Sequence, residues 1–150
     1  MEAGQTVDLL KRVRHDFANH LQVIGGYLDM GRPDRAKEYL AGVMEEIIAE
    51  RLIFESQEGE AALYFYEQLS QARDLGIILR YEDLDMKSWE ILKAKGEPRK
   101  SLNEMDREEA KNEEEVPVYL SLCEDEQGID LLFSCADWVQ SSKRVRVNKE

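Results

Sequence analysis

The stretch LKRVRHDFANHLQVIGGYL, residues 10–28, decides the fold of the N-terminal part of this chain. Its apolar residues recur at steps of three and four: Leu10, Val13, Phe17, Leu21, Ile24 and Leu28. This spacing predicts an α-helix with one apolar stripe facing a core. His15 precedes Phe17 by two residues, which places it roughly 160° from that stripe on a regular helix. The sequence therefore predicts an imidazole on the solvent side of a core-forming helix.

A second helix is expected directly after the first. We expect helix one to begin at about Thr6 or Asp8 and to end near residue 29. Gly31 fits the end of this helix, and Pro33 fits the first turn of helix two. Helix two has an apolar side of its own: Ala36, Leu40, Val43, Ile47 and Leu52 or Phe54. Because the connection is short, residues 1–57 are predicted to form a hairpin of two antiparallel helices.

The two apolar stripes of this hairpin need a cover. Two helices alone cannot bury both stripes, whereas two hairpins paired into a four-helix bundle can. The sequence therefore predicts a homodimer. The alternative is that the C-terminal half of the same chain covers the stripes.

The rest of the chain, residues 61–150, is predicted to form a small α+β domain. A helix, a strand and a short helix are expected first, at residues 61–75, 77–81 and 89–92. A β-hairpin around the turn at Gln127 and Gly128, with an edge strand after it, is expected from residues 116–123, 129–135 and 143–147. The polar stretch 97–115 predicts a poorly anchored helix or a mobile segment. The fold class is therefore α+β.

Composition narrows the classes of partner. The chain has 150 residues and a net charge of −12, which argues against binding to nucleic acid. The sequence contains no apolar run of the roughly 20 residues that a membrane-spanning helix needs. The N-terminus lacks the basic start and apolar block of a signal peptide. We therefore expect a cytoplasmic protein that does not associate with membranes.

The candidate site consists of His15, Asp16 and Asn19. On a helix, His15 and Asn19 lie about 40° apart on one face. Imidazole is nucleophilic near neutral pH, and Asp16 could orient the ring or accept its proton. The amide of Asn19 could donate hydrogen bonds to a phosphoryl oxygen. Three preceding basic residues could attract an acidic partner surface: Lys11, Arg12 and Arg14.

A longer string around this site resembles the phosphoacceptor helix of two related groups of proteins. It comprises RHDF at residues 14–17, NHLQVI at 19–24 and GYL at 26–28, followed by GRPDRA at 31–36. One group is the citrate/malate-type sensor histidine kinases, and the other is the sporulation initiation phosphotransferase B family of spore-forming bacteria. The resemblance is specific over about residues 9–45 and weaker over 61–83.

The resemblance implies a dimeric four-helix bundle in which His15 carries a phosphoryl group. Asp16 and Asn19 carry over as its catalytic neighbours, while Arg14 and Gln22 would flank the acceptor site and contact the partner. The implied partners are response-regulator receiver domains, which would supply Mg²⁺ themselves. The implied role is histidine phosphotransfer between two receivers in a phosphorelay of two-component signalling, in sporulation initiation.

The sequence lacks the elements with which kinases of this family hold ATP. Their nucleotide site uses an asparagine-bearing helix, an Asp-x-Gly turn and glycine-rich loops. Here the glycines end at Gly128, the turn candidate CADW at residues 135–138 has no glycine, and Asn103 and Asn112 are nine residues apart. We therefore expect phosphotransfer without ATP, no bound cofactor, and a C-terminal domain that is a degenerate kinase ATPase domain.

Two alternatives stay open. The chain could be a non-catalytic pseudo-kinase that sequesters a receiver or dimerises with a sensor kinase, or a kinase with a divergent ATP pocket. His20 matches the second histidine of the kinase motif, and we expect its role to be mainly structural. His15 and His20 are five residues apart and do not share a helix face, so no metal site is expected.

Overall fold

The computed structural model describes residues 2–109, 117–136, 138 and 142–150. The chain divides into two compact units, Met1–Arg51 and Leu52–Glu150. The helices and strands follow in this order: α1 (Ala3–Asp29), α2 (Pro33–Ser56), α3 (Gly59–Asp74), β1 (Leu79–Leu84), α4 (Trp89–Lys95), α5 (Arg99–Glu109), β2 (Val118–Glu124), β3 (Gly128–Ser134) and β4 (Ser142–Asn148). The fold class is α+β, as the sequence predicts.

Helix α1 begins earlier than its sequence suggests. It starts at Ala3, because the N–H of Glu2 donates a hydrogen bond of 3.2 Å to Oε1 of Gln5 and so satisfies a donor at the helix start. Asp8 therefore lies inside the helix rather than at its cap. At the other end Gly31 has a φ of 70°, the left-handed conformation that ends a helix, and Pro33 opens α2.

The hairpin of α1 and α2 buries little of its apolar surface. Within the first unit, Leu9 and Ala36 are the buried apolar residues among those that the structure describes, at 8% and 5% exposure. Nine larger apolar side chains are 46–58% exposed: Val7, Leu10, Phe17, Leu21 and Leu28 on α1, with Leu40, Met44, Ile47 and Ile48 on α2. Most of the stripe predicted from residues 10–28 is therefore uncovered in one copy of the hairpin.

The second unit is built on a four-stranded sheet in the order β1-β2-β3-β4. Strand β1 runs parallel to β2, and the other neighbours are antiparallel. The predicted turn is present, since Oδ1 of Asp125 accepts the N–H groups of Gln127 at 2.8 Å and Gly128 at 2.9 Å. Only glycine fits at 128, where a Cβ would lie 2.6 Å from the carbonyl oxygen of Val147.

Alternate residues of the central strands face the core of this unit. Its fully buried large residues come from α2, the helices after it and the sheet: Ile53, Phe65, Leu84, Leu92, Pro98, Leu102, Leu120, Ile129, Leu131 and Phe133. The opposite side of the sheet carries polar residues, among them Asp130, which accepts hydrogen bonds from Arg144 and Arg146. The helices thus cover one face of the sheet and leave the other to solvent.

The polar segment from residue 97 is more firmly packed than its composition predicts. It forms α5, in which Leu102 is fully buried and Met105 is 7% exposed. The N–H of Ser101 donates to the carboxylate of Glu97 at 2.9 Å, and the N–H of Arg99 donates to Gln68 at 3.0 Å. Two apolar residues and a few buried hydrogen bonds thus anchor the first turns of α5. Residues 110–116 lie outside the described part of the chain.

Glu124 ties the end of β2 to the start of α4. Its carboxylate accepts the N–H of Lys87 and, at 3.4 Å, that of Ser88, and it lies 3.1 Å from Nζ of Lys149. Burial alone would raise the pKa of Glu124, but these hydrogen bonds and the ammonium together lower it below its usual value. The charged carboxylate therefore stabilises the folded state.

We expect Glu124→Gln to lower the free energy of unfolding by about 1–3 kcal/mol at neutral pH, because a charged acceptor is replaced by a neutral one. A lowered pKa stabilises the fold above the usual glutamate value and loses that effect as the pH falls. The difference between wild type and variant should therefore shrink below about pH 4 in urea titrations. Equal differences at pH 7 and pH 3 would contradict this explanation.

Candidate functional site

His15 lies on α1 with its side chain 75% exposed. Its Nδ1 lies 3.4 Å from the amide nitrogen of Asn19 and 4.0 Å from Oδ1 of Asp16. Asn19 reaches the ring because a step of four residues stacks two side chains on one helix face. The three residues predicted to form the site are thus close together in the structure.

The two ring nitrogens of His15 have different surroundings. Both neighbours lie at Nδ1, whereas Nε2 has no hydrogen-bond or ion-pair partner among the residues that the structure describes. Neutral imidazole carries one proton, and an amide nitrogen of Asn19 that donates to Nδ1 leaves this proton on Nε2. When the amide is turned, its oxygen accepts from Nδ1, and together with the carboxylate of Asp16 it favours the proton on Nδ1. The lone pair of Nε2 would then face solvent, where it can attack an electrophile that approaches from outside.

The other predicted site residues divide between two faces of α1. Lys11 and Gln22 are exposed and lie one turn before and two turns after His15, within about 40° of it. Arg12 is partly buried and lies about 60° from His15 on the side of Asp16. Arg14 is exposed about 100° away from His15, so it does not share the face of the imidazole.

His20 joins the two helices of the hairpin. Its Nδ1 forms a hydrogen bond of 2.8 Å with the hydroxyl of Tyr39, and its Nε2 lies 4.0 Å from a carboxylate oxygen of Glu46. A proton on Nε2 faces Glu46, and the hydroxyl of Tyr39 then donates to Nδ1. His20 is thus part of the contact between α1 and α2, on a different face from His15. Tyr39 and Glu46 are not predicted from the sequence as the contacts of His20. The signal that could have indicated them is their spacing of seven residues on α2.

We expect Tyr39→Phe to lower the free energy of unfolding by about 0.5–1.5 kcal/mol, because it removes the hydroxyl that pairs with His20. The measurement is urea unfolding followed by circular dichroism. Tyr27→Phe is the matched control, since the hydroxyl of Tyr27 makes no hydrogen bond within the described residues. Equal losses in the two variants would show that the contact with His20 contributes nothing.

The described residues contain no group of three His, Cys, Asp or Glu side chains placed to hold a metal ion.

A cavity of about 390 Å³ in the second unit lies beside α5 and β4, and its wall carries charges of both signs. No glycine lines it, so it lacks the backbone cradle of a phosphate-binding loop. Asn112 and Asp137, which belong to the stretches compared above with the ATP-binding elements of kinases, lie outside the described residues. Among the helices in the described ranges, none combines the length and apolarity required to cross a bilayer.

Comparison with known proteins identifies the first part of the chain. Residues 1–56 match the family model of the sensor kinase SpoOB-type, alpha-helical domain. This match covers α1 and α2, and with them every residue of the candidate site. It confirms the resemblance to the sporulation phosphotransferase family that the sequence motifs indicate. A search of curated proteins found no match to the chain.

Proposed function

We propose that this protein is a histidine phosphotransferase of two-component signalling, because residues 1–56 match the SpoOB-type alpha-helical domain. It accepts a phosphoryl group from one response-regulator receiver on His15 and passes it to a second receiver, in sporulation initiation. The observation that carries the proposal is the exposed imidazole of His15, with Asn19 and Asp16 both at Nδ1 and Nε2 facing outward.

The transfer uses Nε2 of His15 as the nucleophile. Its lone pair attacks the phosphorus of the receiver's aspartyl phosphate, and the bond from phosphorus to the aspartate oxygen breaks as the carboxylate leaves with its electron pair. The ring keeps its proton on Nδ1 and becomes positively charged, which the carboxylate of Asp16 stabilises. In the second step a carboxylate of another receiver attacks the phosphorus, and Nε2 recovers its lone pair.

The groups around His15 position and stabilise the reacting atoms. Asn19 can turn its amide so that the oxygen accepts the Nδ1 proton or the nitrogen donates to a phosphoryl oxygen. Lys11 and Gln22 flank the imidazole along α1 and would contact the docked receiver, with Arg12 beside them. Mg²⁺ held by the receiver supplies charge neutralisation at the phosphoryl group. The part assigned to this chain is therefore mainly positioning.

We further propose that the hairpin pairs with a second copy to form a four-helix bundle. The support is the set of nine apolar side chains, five on α1 and four on α2, that are 46–58% exposed. A standard stable interface takes about 800 Å² from each partner, and nine large apolar side chains that are about half exposed supply an area of that order. A second hairpin offers an identical apolar surface, so a homodimer covers both at once.

The second unit fits a degenerate kinase ATPase domain under this proposal. Its support is the layout, with helices on one face of a mixed sheet, and the lack of glycine-rich loops after Gly128. Such a unit would serve for packing or partner contacts and would leave phosphotransfer independent of ATP.

The proposal can be tested with purified receiver domains phosphorylated by labelled acetyl phosphate. Incubation of the full chain with each labelled receiver, without ATP, should move label onto the chain. That label should be lost in acid and kept in alkali, as expected for phosphohistidine. Incubation with γ-labelled ATP and no receiver should leave the chain unlabelled.

Two outcomes would contradict the proposal in different ways. Receiver binding without any transfer of label would favour a pseudo-kinase that only sequesters receivers. Labelling by ATP alone would instead identify a kinase with a divergent nucleotide pocket.

A further inference from the structure

Arg14 stands out because it occupies a position of the apolar row on α1. The positions 7, 10, 14, 17, 21, 24 and 28 alternate steps of three and four residues, the a/d pattern of helices that pack side by side. Val7 and Leu10 precede Arg14 in this row, and Phe17 and Leu21 follow it, with 48–57% of each exposed. Arg14 is therefore surrounded along the helix by exposed apolar side chains.

The second helix repeats the arrangement. Its positions 40, 44, 47, 51 and 54 show the same alternation, and Arg51 occupies one of them between Ile47 and Phe54. His20 contacts both Tyr39 and Glu46, which fixes how α1 and α2 align. With that alignment Arg14 and Arg51 lie within about one helical turn of each other along the hairpin.

We propose that Arg14 belongs to the dimer interface, where it fixes the alignment of the two hairpins, and that it is not a receiver contact. The proposal rests on the homodimer proposed above. Arg14 lies about 100° from His15 but within about 60° of Leu10, Phe17 and Leu21, so a second hairpin covering these residues also covers Arg14. In the described part of the chain its guanidinium has no carboxylate partner.

A guanidinium in an apolar interface has a definite energetic consequence. Removing the charge from water costs free energy that an apolar residue would not cost. A polar residue at a single a position thereby weakens a helical dimer while selecting one register.

The test is Arg14→Leu in the full chain, with the dimer dissociation constant measured by sedimentation. We expect that constant to fall about tenfold or more relative to wild type. The matched control is Arg35→Leu, which removes the same charge from an exposed position paired with Glu38 at 3.5 Å, and it should change the constant by less than about twofold. Receiver affinity of Arg14→Leu should equal that of wild type.

The register is read from backbone amide resonances of α1 in the dimer. Arg14→Leu should give more than one resonance for residues of the apolar row, while wild type and the neutral polar variant Arg14→Gln give one each. An unchanged or weaker dimer in Arg14→Leu, or reduced receiver affinity in that variant alone, would overturn the inference and leave the homodimer standing. A monomeric wild type would overturn both.

Discussion

His15→Ala should abolish phosphotransfer. The substitution removes the nucleophile, and loss of a nucleophile that forms a covalent intermediate lowers rates by factors of about 10³ or more. Stability should change little, because the side chain is 75% exposed. The measurement is the amount of label that the chain takes from a phosphorylated receiver at a fixed time. Receiver binding should persist, since the flanking residues of α1 remain.

His20→Ala is the matched control for this experiment. It removes an imidazole five residues away on the same helix, but one that contacts Tyr39 and Glu46 rather than solvent. We expect this variant to accept label and to lose about 1 kcal/mol of unfolding free energy through the lost hydrogen bond. Transfer that survives in His15→Ala but fails in His20→Ala would reverse the assignment of the two histidines.

Leu21→Glu should convert the dimer to monomers. Leu21 is 54% exposed in one copy and lies in the middle of the apolar row, so the substitution places two carboxylates in the interface of a dimer. Burying unpaired charge costs several kcal/mol, and we expect the dimer dissociation constant to rise by at least about a hundredfold. Sedimentation velocity across a dilution series measures this directly.

Val23→Glu is the control on the same helix. Val23 is 36% exposed but lies about 160° from Leu21, away from the apolar row. The same exchange of an aliphatic side chain for a carboxylate should leave the dissociation constant within about twofold of wild type. If both variants dissociate, general destabilisation of α1 explains the effect; if neither does, the apolar row is not the interface.

Local signals in the sequence were sufficient for the hairpin. The apolar spacing of residues 10–28 predicts α1, and Gly31 and Pro33 predict the turn, because these residues act through backbone geometry alone. Helix α1 begins earlier than the sequence predicts, since its start is capped by the hydrogen bond between Glu2 and Gln5, and neither residue is one of the preferred N-cap types Ser, Thr, Asp and Asn.

Non-local packing limited the prediction of the second unit. Strands β2 and β3 and their turn at Gly128 were predictable because alternation and turn chemistry are local. The parallel pairing of β1 with β2 was not, since β1 and β2 are separated by α4 and α5 and no local signal records their register. Helix α5 shows the same limit, because two buried apolar residues, Leu102 and Met105, help to anchor it within an otherwise polar segment.

The candidate site also has features that the sequence predicts and contacts that it does not. The closeness of His15, Asp16 and Asn19 follows from helical spacing, which the sequence contains in full. The direction of Arg14 also follows from that spacing, yet its basic character suggested a place beside Lys11 and Arg12. The partners of His20 come from another helix and could be identified only once α1 and α2 were aligned.

The most direct measurement is the position of the phosphoryl group on the chain. After transfer from a labelled receiver, trypsin at alkaline pH should release the peptide of residues 15–35, since the Arg32–Pro33 bond resists cleavage. That peptide contains both histidines, and fragmentation in a mass spectrometer separates them. The account predicts phosphate on His15; phosphate on His20, or a chain that never becomes phosphorylated by any receiver, would contradict it.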